Sequence, residues 1–382
     1  MTDPRIELVT AAAAFSREEW NGCAGTNNPF TLREFALALE ESQSAAAATG
    51  WQPAHIALRT GEGAPASAIM PAYVKSHSRG EFVFDQGWAE AFERAGGRYY
   101  PKLQISAPFT PATGPRMLLR NGADADRHAA RLLQGAEAVC RQHRLSSAHA
   151  TFIAEGQLPA FRDAGWLIRH GEQFHWFNRD YATFDDFLAA LSSRKRKAIR
   201  RERRGVAESG LDIVHLEGAA ITEADWDDFW VFYQDTGARK WGSPYLTRAF
   251  FSLASETMAD RLLLVLAKHE GRTVAAALNF IGGDCLYGRY WGTVVDVPFL
   301  HFELCYYQAI DTAIARGLKR VEAGAQGPHK LARGYEPVVT YSAHWIADPG
   351  LRHAVADFLE HERDAVAHDV EIMTGMGPFR KP

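Results

Sequence analysis

A helix that runs through a short turn straight into a strand occurs twice in this chain, once in each half. Arg144-Leu145-Ser146-Ser147-Ala148-His149-Ala150 and Gly317-Leu318-Lys319-Arg320-Val321-Glu322-Ala323 each close an alanine-containing helix and open a strand. Two such passages in 382 residues predict a mixed α/β (α+β) chain of two domains, each a mixed sheet flanked by helices. The reading places an N-terminal domain over 1–180 and a C-terminal domain over 181–382, a divergent duplication joined near residue 180. The bland alternative is chance similarity between two helix-to-strand turns.

The periodicity elsewhere agrees. Strand patterns fall at 6–9, 55–59, 68–74, 81–84, 148–152 and 173–178, and helical ones near 17–20, 32–41 and 124–143. In the second half, strands at 262–268, 273–280 and 286–293 precede a helix over 299–316, a strand at 320–323 and a terminal helix over 351–369. With 47% hydrophobic residues the chain has the apolar surface to offset its ordering entropy, which excludes disorder. Forty-two basic against 46 acidic residues give a net charge of -4, so any contact with a polyanion must be local. Apolar runs such as 262–267 are strand-length, against about 20 residues for a membrane span. The charged first residues lack a secretory pattern, so the expectation is a soluble cytoplasmic protein able at most to touch a membrane surface. Cys23, Cys140, Cys285 and Cys305 stand singly, which predicts reduced thiols and no metal site.

Several long segments together resemble one bacterial family. They are Asn28-Pro29-Phe30, Lys75-Ser76-His77-Ser78, Tyr99-Tyr100-Pro101-Lys102-Leu103-Gln104, Leu191-Ser192-Ser193-Arg194-Lys195-Arg196-Lys197 and Phe302-Glu303-Leu304-Cys305-Tyr306-Tyr307-Gln308. To these add Glu322-Ala323-Gly324-Ala325-Gln326-Gly327, His329-Lys330-Leu331-Ala332-Arg333-Gly334-Tyr335 and the tail Pro378-Phe379-Arg380-Lys381. The chain is similar over nearly its whole length to the FemAB-like N-acyltransferases associated with peptidoglycan biosynthesis. The resemblance implies tandem GNAT-like domains and transfer of an activated acyl group, from acyl-CoA or aminoacyl-tRNA, to a small-molecule or lipid-linked amine. A non-catalytic module that recognises peptidoglycan precursors or another anion is the alternative, and a long-chain acyl-CoA acting on a lipid amine is a third.

Three clusters carry the candidate chemistry. Glu322, Gln326, His329, Lys330, Arg333 and Tyr335 begin at a strand end and run into a Gly/Pro loop. Glu322 or His329 is the candidate base, Lys330 and Arg333 the anion holders, with His301 and Glu303 near the same crevice. A plain loop ion pair between Glu322 and Arg333 is the competing reading. Arg289-Tyr290-Trp291-Gly292 fits the first positions of a pyrophosphate-cradling loop, but Val294 stands where that loop needs Gly or Ala. Within a helix expected over about 185–209, Arg194, Lys195, Arg196, Lys197, Arg200, Arg201, Arg203 and Arg204 are either a solvated face or a dock for phosphates, tRNA included. In the first half Lys75, His77, Asp85, Tyr99, Tyr100 and Lys102 can line a pocket or simply cover a sheet edge. Gln173, His175 and Trp176 on a joining strand, and Arg239, Lys240 and Trp241 after a helix, are further positions able to reach a crevice, with core packing the default for both tryptophans.

Overall fold

The computed structural model describes residues 4–61, 63–122, 124–240, 244–325 and 327–380, the side chains of 236–240 and 328 aside. The strands are β1 (Arg5–Val9), β2 (Trp51–Pro53), β3 (His55–Arg59), β4 (Ala66–Met70), β5 (Ala72–Lys75), β6 (Lys102–Ile105), β7 (Leu118–Leu119), β8 (Ser147–Thr151), β9 (Leu167–Phe177), β10 (Leu211–Glu217), β11 (Leu262–His269), β12 (Arg272–Ile281), β13 (Cys285–Thr293), β14 (Arg320–Glu322) and β15 (Glu336–Ile346). The helices are α1 (Arg17–Ala24), α2 (Arg33–Glu41), α3 (Gln86–Arg94), α4 (Ala125–His143), α5 (Leu158–Asp163), α6 (Phe184–Ala190), α7 (Ser193–Ala207), α8 (Glu223–Lys240), α9 (Arg248–Met258), α10 (Leu300–Phe302), α11 (Gln308–Ala315) and α12 (Pro349–Gly375). No described helix is long and apolar enough to cross a membrane.

The chain forms two compact units, Met1–Glu172 with Val339–His368 and Gln173–Val338 with Asp369–Pro382. A single division near residue 180 differs from this, because two strands cross the boundary. In the first unit β6 and β8 are parallel, joined by α4, and β8 then pairs with the end of β15, Ser342↔Thr151 through Ile346↔Ser147. In the second unit β13 and β14 are parallel, joined by α10 and α11, and β14 pairs with the end of β9, Glu322↔His175 through Arg320↔Phe177. Each parallel pair is therefore completed by the strand that follows the other pair in sequence.

The two helix-to-strand turns use the same device. Arg144 and Gly317 are left-handed (φ 54° and 63°), and the next N–H in each case donates back to the helix, Leu145 to the Cys140 carbonyl and Leu318 to Ala313. In the first unit Leu132, Leu133, Ala136 and Cys140 of α4 pack on Leu103, Ile105, Ala148 and Ala150. In the second, Leu304, Tyr307, Ile310 and Ala313 pack on Leu286, Val321 and Trp176.

Two expected elements differ, and one strand was not expected. Residues 81–84 are not a strand: Phe82 has φ 60° and the segment bends so that Glu81 and Asp85 turn inward to buried lysines. The basic helix is broken at Leu191 and Ser192, which are extended because the C-terminal tail pairs with Leu191 through Phe379. β15 has no counterpart among the expected strands, although its β-branched run Val338-Val339-Thr340 carries a strand signal.

Candidate active site where two parallel strands part

β13 and β14 stay paired only from Cys285↔Arg320 to Tyr287↔Glu322. Beyond that β13 bulges: Asn279 opposes Gly288 and Leu278 opposes Tyr290, leaving Arg289 as the extra residue. A bulge releases backbone groups from the ladder, and the ends of diverging parallel strands are where mixed sheets admit ligands. The backbone is bare here. A Cβ on Gly288 would lie 3.4 Å from Asn279 Oδ1 and 3.7 Å from Ala323 Cα, and Gly324 has φ 80°. Asn279 Oδ1 is buried without a partner.

Strand alternation separates residues that are close in sequence. Val321 faces the core that contains Leu304, Tyr306 and Tyr335, so Glu322 points to the opposite face of the sheet. There Glu322 Oε1 accepts from Arg320 Nε at 3.1 Å, and its buried Oε2, without a hydrogen bond, lies 3.9 Å from His175 Nε2. Burial lowers the His175 pKa against the pull of Glu322. Arg320 also donates to Asp284. An ion pair does hold Glu322, but with Arg320 in place of Arg333.

His329 and Arg333 lie on the helix side. His329 shares a 2.8 Å hydrogen bond with Tyr306 Oη. Lys330 is buried and donates to the Gly324 carbonyl at 2.9 Å. Burial first, then the nearby Arg289, lower its pKa to about 7, and Cys305 opposes them. Among the described residues it has no carboxylate partner. Arg333 is occupied: both Glu202 oxygens accept from Nη2 at 3.0 Å, Nη1 donates to the His329 carbonyl, and the guanidinium lies 3.3 Å from the centroid of Phe302. Tyr335 is fully buried with its hydroxyl unpartnered. Gln326 lies outside the described residues, as does Trp241, and so do the side chains of Arg239 and Lys240.

Between α10 and α11 the helix takes one π turn, Glu303–Tyr307, a distortion common at functional sites. Glu303 accepts from Arg203 at 3.0 Å and Gln308 at 2.7 Å, and its Oε2 is buried without a partner. His301 packs edge-on against Trp291 and Tyr306, with centroids at 5.0 and 5.3 Å.

Arg289, Tyr290, Trp291 and Gly292 form a strand and no phosphate loop. A Cβ on Gly292 would lie 2.2 Å from the Phe232 carbonyl oxygen, so this glycine is there to let α8 approach the sheet. At the start of α10 the N–H groups of Leu300, Phe302 and Glu303 already donate to Val297 and Phe299 carbonyls. Three backbone donors that a diphosphate could use at this helix start are therefore taken.

The basic run is divided by helix geometry. Ile199, Glu202 and Val206 face inward, and Arg203 beside them is held by Glu303 and by Asp311 at 2.7 Å. Arg194, Lys197, Arg201 and Arg204 recur at helical spacing on the opposite face, exposed, and no carboxylate pairs with them among the described residues. This stripe spans about 15 Å. Arg200 reaches Asp185 at 2.9 Å, and Lys195 and Arg196 are half-buried.

In the first unit Lys75 and Lys102 are both fully buried. Lys102 donates to Ser78 at 2.9 Å, to Glu81 at 2.7 Å and to Asp85, and Tyr99 also donates to Asp85. Burial opposes both charges, yet the mutual pairing keeps Lys102 above the usual lysine range and Asp85 far below the usual carboxylate range. Lys75 lies 3.8 Å from the Trp51 ring centroid and 3.2 Å from His77 Nδ1, and burial lowers its pKa to about 7. Tyr100 shares a 2.8 Å bond with Ser78. His149 and His344 meet at 2.6 Å through their Nδ1 atoms, a buried pair that no local sequence signal announced.

Among the described residues no group of three or more His, Cys, Asp or Glu can hold a metal ion. No curated protein matches the chain. Solved structures do. FemX shares 11% identity at a TM-score of 0.54, covering 92% of this chain and 100% of its own. The C-terminal domain of a putative lysylphosphatidylglycerol synthetase from Agrobacterium fabrum gives 0.53 at 11% identity, covering 92% and 97%. L-PGS from Bacillus licheniformis gives 0.52 at 10% identity, covering 88% and 98%. At such identities the likeness is one of fold. Residues 11–381 match the FemAB-like family of peptidoglycan biosynthesis/recognition, and the chain belongs to it.

Proposed function

We propose that the chain transfers an aminoacyl group from an aminoacyl-tRNA ester to a primary amine, with Lys330 stabilising the oxyanion. The observation that carries this reading is Lys330 itself, an amine buried where β13 and β14 part, with one carbonyl acceptor and no carboxylate, whose protonated form a nearby oxyanion would favour. Such a group gains most when negative charge appears beside it, as it does in the tetrahedral transition state of acyl transfer. The amine nitrogen forms its bond to the ester carbon while the carbonyl electrons move to the oxygen facing Lys330. Collapse breaks the ester C–O bond. The proton lost by the amine passes to His329, on the same loop, and from there to the departing ribose oxygen. Glu322, bound to Arg320 on the other face, is the second candidate for the base.

A polynucleotide donor is favoured over acyl-CoA because Arg289 to Gly292 form a strand in place of a phosphate loop and three N–H groups at the start of α10 are taken, which shifts phosphate contacts toward side chains. The stripe on α7 supplies them, and Gly205 of that helix lies beside Phe299, the residue before α10. The family's description supports a peptidoglycan-precursor amine as acceptor, with a lipid-linked amine as its competitor. Single-turnover transfer from mixed charged tRNA tests the reading. Lys330→Ala should slow it on the order of 10²-fold with little loss of donor affinity. Unchanged turnover would sink the assignment of Lys330. Binding without consumption of either ester or thioester would favour the non-catalytic module.

A further inference from the structure

The tail Pro378-Phe379-Arg380 has no part in the chemistry above, yet it forms a short antiparallel ladder with the residues that open α7. Ser192 N–H donates to the Pro378 carbonyl at 2.9 Å, Arg380 N–H to Ala190 at 3.0 Å, and Arg380 Nε to Leu191 at 3.3 Å. Leu191 and Phe379 are bridge partners, Pro378 is buried, and the Phe379 ring packs at the edge of the second unit's core beneath the Arg179 guanidinium at 4.9 Å. Ser192 is held on both sides, since its carbonyl accepts the first helical bond from Arg196.

The helix needs this support. Its first turn contains no acidic residue, and Ser192 makes no side-chain cap. Arg194, Lys195 and Arg196 instead crowd the positive end of the helix dipole, where cations are unfavourable. Left alone, such a turn frays. We infer that the tail is a strap that holds the first turn of α7 in place and so aims Arg194 and Lys197 at a bound polyanion; this rests on the reading of the α7 stripe as the donor's phosphate contact. Pro378, Phe379 and Arg380 are positioning residues, and the reach of the stripe depends on the backbone ladder more than on the charge of Arg380.

The ladder and the charge are separable at one position. Arg380→Ala keeps the N–H that bonds Ala190, whereas Arg380→Pro removes it. With deacylated bulk tRNA as the probe, Arg380→Pro should weaken binding about tenfold. It should also cut the salt slope by roughly 1 to 2, as expected when two cations drop out. Arg380→Ala should change affinity by less than about threefold, since it removes one exposed charge. Deleting 377–382 from the otherwise full chain should match Arg380→Pro and speed hydrogen exchange at 192–198. Equal effects of Arg380→Ala and Arg380→Pro, or wild-type affinity and slope in both Arg380→Pro and the deletion, would overturn the strap. A separate control changes Arg194, Lys197, Arg201 and Arg204 to Glu. Unchanged tRNA binding there overturns the reading of the stripe itself, whereas loss of binding there with no effect of the tail overturns the strap alone.

Discussion

The two units contain the same passage, a strand, a crossing helix and a parallel strand, and treat the point where those strands end in opposite ways. In the first unit Arg116 fills it: Nε donates to the Thr151 carbonyl at 2.6 Å and Nη2 to Ala112 at 2.7 Å, while Gly114 bridges to Ile153. In the second unit the corresponding place has Gly288, Gly324 and the carboxylate-free Lys330. The buried lysines differ in the same sense. Lys102 is saturated by two carboxylates and a hydroxyl, and Lys330 has one carbonyl. A saturated buried charge holds a structure together, whereas an unsaturated one stores a preference for an anion that arrives later. One topology thus serves as scaffold in the first unit and as candidate catalyst in the second.

The lysines give the sharpest way to break that contrast. Lys102→Met strands Asp85 without a lysine, leaves Glu81 only Lys75 at 3.7 Å, and should cost about 3–5 kcal/mol in denaturant unfolding. Adding Glu81→Gln and Asp85→Asn should recover part of it. Lys330→Met removes a charge that has no carboxylate to strand, so stability should stay level or rise while transfer collapses. Equal destabilisation by the two would erase the distinction.

Glycines on β13 test the open face next. Gly292→Ala drives a Cβ into the Phe232 carbonyl and should cost about 2–4 kcal/mol, in the range of other overpacking changes. Gly288→Ala meets its neighbours only at ordinary contact distances, and should shift the melting temperature little while altering transfer. A smaller effect separates the arginines of α7. Arg203→Glu sets a carboxylate against Glu303 and Asp311 and should cost about 2–3 kcal/mol, whereas Arg201→Glu on the outer face should stay within about 0.5 kcal/mol.

The pH dependence of stability is the gentlest probe. Burial raises Glu81 from 4.5 to about 7, so the folded chain holds a proton that the unfolded chain loses, and stability falls as pH climbs through that window. Lys75 and Lys330 are lowered from 10.5 to about 7, so between those values the unfolded chain holds protons that the folded one lacks, and stability recovers with rising pH. Below pH 6.5 His149, lowered by burial to about 3, and His344, also lowered, act with the opposite sign to Glu81, so each group is read as a difference from wild type. Glu81→Gln should alter the pH slope of the urea midpoint only from about pH 4.5 upward to 7, and Lys330→Met only above about pH 7. A profile that both variants leave unchanged would mean that neither group titrates as its burial implies.

Much of the fold was legible because it rests on local rules. The αL turns at Arg144 and Gly317, the amphipathic α4 and the hairpin strands β11 to β13 follow from spacing within a few residues. The site was legible only as a neighbourhood. Glu322 and Lys330 stand eight residues apart, close enough to be grouped on sequence, but the strand turns Glu322 to Arg320 and His175 while the loop leaves Lys330 with the Gly324 carbonyl. Arg203 looked like its seven basic neighbours, and only the helix phase and the facing π turn show that it belongs to the interior.

The sequence by itself determined the repeated helix-to-strand turn, the family, and the presence of a dense cationic segment, because each is written in contiguous residues. Tertiary structure alone decided which charges are spent and which are available. Arg320 was matched to Glu322, Arg333 to Glu202 and Lys102 to Glu81 and Asp85, and Lys330 was left with a carbonyl. Tertiary structure also decided that β9 and β15 complete each other's sheets and that the tail meets α7. Such pairings join residues far apart in the chain, and their stability depends on burial and distance, which a sequence encodes only through the finished fold.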